Sequence, residues 1–161
     1  RRAVNVALAA CVAAAAVCGG AAVWQYRQAS DARDTARRSE QRAARAEELT
    51  QVLAAPDAHS RSGRMTGGST GTVVVSRGLD KAVFLASGLP EPPAGRIYQL
   101  WFSDGGTMRP AGLLDSSGRS TAAVMSGAVG KASAMGVTVE PAGGSRAPTG
   151  DPLVLLAFPS A

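Results

Sequence analysis

The chain has 161 residues, enough for one modest domain with accessory segments. Aromatic residues make up 4% and charged residues 18%, so a packed core must be built mainly from Val, Leu and Ala. A net charge of +5 would suit a nucleic-acid partner if it formed a patch. The arginines between Arg27 and Arg45 are instead interleaved with Asp and Glu, the pattern of a solvated helix face, which excludes that partner.

No charged residue occurs from Ala3 to Trp24. At about 1.5 Å per residue this stretch spans roughly 33 Å as a helix, close to the roughly 30 Å of bilayer hydrocarbon. Arg1 and Arg2 flank one end; Trp24, Tyr26 and Arg27 flank the other, where amphipathic rings suit the headgroup level. A single transmembrane helix is therefore expected over residues 1–26. The first residue is Arg rather than Met, so a fragment of a longer protein is expected. A lipoprotein signal around Leu8-Ala9-Ala10-Cys11 is disfavoured, because only five residues separate Arg2 from Leu8.

Gln25 to Ala55 is rich in Ala, Arg, Glu and Gln and lacks Gly and Pro, with pairs such as Asp34–Arg38 at helical spacing. Its apolar stripe is mostly Ala until Leu49, Val52 and Leu53, which predicts a helical juxtamembrane stalk over 27–55. Pro, Ser, Gly and Asp then mark a linker over 56–71. Beyond it, apolar runs alternate with turn residues at intervals of about ten, an all-β signature. The predicted strands are Thr72–Ser76, Lys81–Ser87, Arg96–Ser103, Gly112–Asp115, Thr121–Met125, Met135–Glu140 and Leu153–Phe158. About seven strands suit an antiparallel β-sandwich over 72–161. Both faces of Arg96–Ser103 are largely apolar, which predicts a central strand with Trp101 and Tyr98 organising the core.

Reaction chemistry is poorly supported. Cys11 and Cys18 share a helix face without a His or acidic companion, so no metal site is expected. His59, the single histidine, falls in the Ser- and Gly-rich linker, where a catalytic base would lack rigid support. Asp104 and Asp115 stand in turn contexts where Asp bonds its own backbone. Gly67-Gly68-Ser69-Thr70-Gly71 lacks the Lys and the following helix of a phosphate loop. Neither catalytic, cofactor-binding nor metal-ligating residues are expected, and the reading is not an enzyme.

Several stretches carry a family resemblance: Leu53-Ala54-Ala55-Pro56-Asp57-Ala58, Gly71-Thr72-Val73-Val74-Val75-Ser76, Gly88-Leu89-Pro90 and Tyr98-Gln99-Leu100-Trp101. They continue with Ala111-Gly112-Leu113, Val137-Thr138-Val139-Glu140-Pro141-Ala142-Gly143-Gly144-Ser145, Pro148-Thr149-Gly150 and Val154-Leu155. In order and spacing they resemble the C-terminal domain of the anti-sigma-K factors. The resemblance implies an N-terminal cytoplasmic domain, outside this chain and often built around a zinc-binding His/Cys motif, that sequesters an extracytoplasmic-function sigma factor. It implies regulated proteolysis by membrane proteases, contact with the lipid bilayer, and a cell-membrane location with the β domain outside. Counting arginines beside the apolar stretch would put the β domain inside; the expectation follows the resemblance. The alternative is a membrane-anchored β-sandwich that binds a cell-envelope ligand or partner protein.

Overall fold

The computed structural model describes residues 33–114 and 120–159. The chain divides into two compact units, Arg1–Ala44 and Arg45–Ala161. In the first, residues 33–44 are helical and exposed throughout, as expected of Ala-, Arg- and Glu-rich sequence with no apolar stripe to bury.

In the second unit residues 45–53 are helical. Pro56 lacks an N–H and restricts the residue before it, so the helix cannot continue. Its last turns are part of the folded unit. Val52 is fully buried against Val74 and Val83, with Leu49, Ala58, Leu85 and Val124 packed around them. Lys81 pairs with Glu48. Just past the helix, Asp57 accepts the Ser76 hydroxyl at 2.7 Å and the Gly78 amide at 2.6 Å. The Gly78 amide and then the Ser76 hydroxyl hold its carboxyl below the ordinary value. Val52→Ala should cost about 2 kcal/mol, seen as a lower urea midpoint, and amide exchange at residues 45–53 should quicken more than in the strands.

Eight strands follow: β1 (His59–Arg64), β2 (Thr70–Ser76), β3 (Lys81–Ser87), β4 (Arg96–Asp104), β5 (Thr107–Leu114), β6 (Ser120–Val124), β7 (Ala134–Pro141) and β8 (Val154–Ala157). They form two four-stranded sheets, ordered β1-β2-β3-β6 and β5-β4-β7-β8, antiparallel throughout. Val73, Val75 and Phe84 of the first sheet belong to one buried cluster with Tyr98, Leu100, Phe102, Met135, Val137 and Leu156 of the second. The period of two along each strand supplies this inner layer. The helix end covers the opposite, outer face of the first sheet, at Val74 and Val83.

Strand β4 is internal to its sheet, as its two apolar faces predict. Its register against β5 shifts between Leu100 and Trp101: Leu100 opposes Gly112 and Trp101 opposes Pro110, leaving Ala111 as the bulged residue. Gly112 takes φ of 118°, and Pro110, which has no N–H, is accommodated on the outer strand of the sheet.

The expected fold class is corrected on several points. Among the described residues there are eight strands rather than about seven, because the stretch assigned to a linker contains β1. Every β1 residue except Gly63 is exposed, so the strand has no apolar period; pairing with β2 holds it in place. The helical stalk expected over 27–55 is corrected at its end, because Leu49 and Val52 of the second unit are packed on the first sheet. Among the described residues no helix is long and apolar enough to cross a membrane. The transmembrane helix expected over 1–26 lies outside the described residues.

Candidate functional site

The best-organised polar site is on the outer face of the second sheet. Gln99, Trp101, Thr138 and Glu140 are all buried there, although none belongs to the inter-sheet core. The chain after β7 turns at Pro141 through Gly143 and Gly144, at φ of 95° and 82°. It then passes back over this face as a strap.

Two side chains hold the strap down. Gln99 clamps Ser145 from both sides: the Ser145 amide donates to Gln99 Oε1 at 2.7 Å, and Gln99 Nε2 donates to the Ser145 carbonyl at 2.9 Å. Glu140 accepts four bonds. Thr138 Oγ1 donates to Oε1 at 2.6 Å, as does the Thr149 amide at 3.1 Å. Ser145 Oγ and Thr149 Oγ1 donate to Oε2 at 2.7 and 2.6 Å. Trp101 Nε1 donates to Thr138 Oγ1 at 2.8 Å and closes the chain of bonds.

Burial pushes the Glu140 carboxyl up, but the hydroxyls of Thr138, Thr149 and Ser145 and the Thr149 amide outweigh it and bring it to about 2. The group is thus an ionised carboxylate held by neutral donors, and no cation pairs with it among the described residues. So weak a base cannot activate the Ser145 or Thr149 hydroxyl as a nucleophile. The arrangement is a clasp rather than a reaction centre.

Gly144 is where the strap comes closest. A Cβ there would stand 2.8 Å from Gln99 Oε1 and 2.9 Å from Leu113 Cδ2, whereas one on Gly143 would meet nothing within 4 Å. Both residues have left-handed φ, which costs a non-glycine residue roughly 1–3 kcal/mol. Gly144→Ala should therefore lower the urea midpoint clearly more than Gly143→Ala, and it should speed amide exchange at Ser145.

The residues weighed from sequence for chemistry do not converge. His59 Nδ1 lies 2.8 Å from the Asp57 carbonyl oxygen. Asp104 takes the Arg109 guanidinium at 3.0 Å. Gly67 and Gly68, both with positive φ, turn the chain between β1 and β2. Cys11, Cys18 and Asp115 lie outside the described residues. No group of three or more His, Cys, Asp or Glu could hold a metal among the described residues. Sequence reasoning found Trp101 but treated Gln99, Thr138, Glu140, Ser145 and Thr149 only as carriers of a resemblance. The available signal was a Glu at the end of a mostly apolar strand, two residues after Thr138 and followed by two separated hydroxyl residues.

The family described as "Anti-sigma-K factor rskA, C-terminal" matches residues 6–153. The chain belongs to this family. It is 56% identical over 155 residues to a Streptomyces griseus protein named "Uncharacterized protein in phr 5'region", covering 96% of this chain and 64% of that protein. It is 42% identical over 101 residues to the anti-sigma-K factor RskA of Mycolicibacterium vanbaalenii, covering 62% of this chain and 42% of the relative. For the Mycobacterium tuberculosis protein of that name the figures are 37% over 103 residues, 62% and 44%. The chain thus spans less than two thirds of the length of these relatives. No solved structure matches it. Three stretches that carry the family resemblance, Tyr98–Trp101, Val137–Ser145 and Pro148–Gly150, meet in the clasp.

Proposed function

We propose that this chain is the outer part of an anti-sigma factor, a negative regulator of an extracytoplasmic-function sigma factor. The observation that carries the reading is the family match over residues 6–153. No stretch of this chain resembles a sigma-binding or zinc-binding motif, so contact with the sigma factor is assigned to the part of the relatives that the chain does not span. The β-sandwich acts at the cell membrane on the extracytoplasmic side, and its role there is regulatory rather than enzymatic. It keeps the protein intact until a signal permits proteolysis by membrane proteases. The clasp supports that role: proteases need a locally extended, accessible chain, and the clasp secures the long connection between β7 and β8.

Two measurements test the reading in the organism that carries the gene. Deleting the whole gene should raise transcription from the promoters of its sigma factor. If no sigma-dependent promoter responds, the anti-sigma reading fails. Ser133, an exposed residue just before β7, reports the side. A Ser133→Cys variant should react with a membrane-impermeant thiol reagent in intact cells, above the background from Cys11 and Cys18. Reaction only after lysis would place the sandwich inside.

A further inference from the structure

Strand β6 is the last strand of its sheet, paired on one side with β3. Met125 N–H donates to the Ala82 carbonyl at 2.8 Å, which makes Ala82–Met125 a hydrogen-bonded position of the ladder. Antiparallel pairs alternate between bonded and non-bonded. In this register Ala123, opposite Phe84, also turns its backbone groups toward β3, and Ala122 and Val124 turn theirs away. Neither Ala122 nor Val124 finds a backbone partner beyond its strand among the described residues.

The other outer strands have hydrogen bonds on or next to them. The Thr66 amide, just after β1, donates to the Leu153 carbonyl, just before β8. The carbonyl of Ala111 in β5 accepts the Ser126 amide at 2.7 Å, and Arg109 reaches the Ala128 carbonyl at 2.9 Å. Strand β6 has an outer edge that no backbone group of the described residues pairs with.

That edge lies in a groove. The helix end is on the outer face of the first sheet and the second sheet is on its inner face, so each overhangs β6 from its own side. Arg45, Glu48 and Leu49 form one wall, Leu113 and the 126–128 segment the other, with Leu79 and Lys81 at one end. Leu79 and Leu113, each 44% exposed, are two of the four exposed large hydrophobic residues among those described. Glu48 and Lys81 pair with each other, whereas Arg45 has no acidic partner among the described residues.

We propose that this groove binds one extended peptide segment of a partner protein, which adds as a fifth strand beside β6. Its backbone pairs with the outward N–H and C=O groups of Ala122 and Val124. An apolar side chain rests on Leu79, and a carboxylate near one end meets Arg45. A second folded copy is a poor occupant, because its own overhanging helix end and β5 would strike these walls before the two β6 edges met. The proposal stands independently of the anti-sigma reading.

The test uses the full 161-residue chain and a fluorescent probe peptide, Asp-Val-Thr-Val-Thr, with a copy N-methylated at alternate residues to remove the pairing amides. The probe should bind and shift the amide resonances of Ala122 and Val124, and the methylated copy should bind at least tenfold more weakly. Proline is tolerated on an outer strand where the lost N–H faces away from its neighbour. Ala122→Pro should therefore keep the thermal midpoint and weaken the probe at least tenfold, and Arg45→Glu should weaken it several-fold. Equal binding of the two peptides, or no binding at millimolar probe, overturns the proposal whether or not Ala122→Pro folds. A concentration-dependent dimer that Ala122→Pro abolishes would overturn it in favour of a second copy.

Discussion

Trp101→Ala is expected to destabilise the sandwich by about 3–5 kcal/mol, a large share of the roughly 5–15 kcal/mol of a typical domain. The indole is fully buried, yet it points away from Tyr98, Leu100 and Phe102 and is sealed on the outer face of the sheet. Its loss removes the largest buried side chain of the described residues and leaves a cavity on that face. It also removes the donor to Thr138 Oγ1. Trp101→Phe separates the two effects, because it keeps most of the ring and deletes only the N–H. Its cost should be nearer 1–2 kcal/mol. Urea unfolding at pH 7 measures both. An unchanged midpoint in Trp101→Ala would mean that the ring is not buried in solution.

The inner core was legible because it obeys a period of two. Lys81–Ser87 is observed with the predicted bounds, and Arg96–Ser103 with one residue more, as a central strand. Both contain enough Val, Leu and aromatic residues to stand out as apolar runs between turns. Strand β1 was not legible, since His-Ser-Arg-Ser-Gly-Arg carries no apolar side chain and is placed by backbone pairing with β2. The packing of the helix end was half legible: Leu49 and Val52 stood out, but an Ala- and Arg-rich context pointed to a free helix. Two valines on the outer face of a sheet, Val74 and Val83, gave that helix its seat. The clasp was legible only as words in order. Nothing local in Val-Glu-Pro-Ala-Gly-Gly-Ser shows that its Glu is buried, because the hydroxyls that satisfy it come from two residues before and from five and nine residues after.

Glu140 makes the strongest test of the clasp, because its charge gives a signature that packing alone would not. Its carboxyl sits near 2 in the folded chain against an ordinary 4.5. A depressed carboxylate contributes stability that is complete above its unfolded value and is lost as pH falls through its folded value. The unmodified chain should thus gain nothing from this group between pH 5 and 8, and should lose its contribution between about pH 4.5 and 2. In Glu140→Gln the hydroxyls of Ser145 and Thr149 can turn to accept from the amide, so neutral bonds replace charge-assisted ones of about twice the strength. A loss of about 2 kcal/mol is expected at pH 7, and the stability curves of the two proteins should converge as pH falls toward 2. Other carboxylates, Asp57 among them, titrate alike in both proteins and cancel in the difference. Glu140→Leu has no acceptor for the Thr149 amide, which cannot rotate away, and should cost about 3–5 kcal/mol at pH 7. Urea unfolding at half-unit pH steps from 2 to 7 decides the matter: a stability difference between the unmodified chain and Glu140→Gln that stays constant across that range would show that the buried carboxylate is not ionised in the fold.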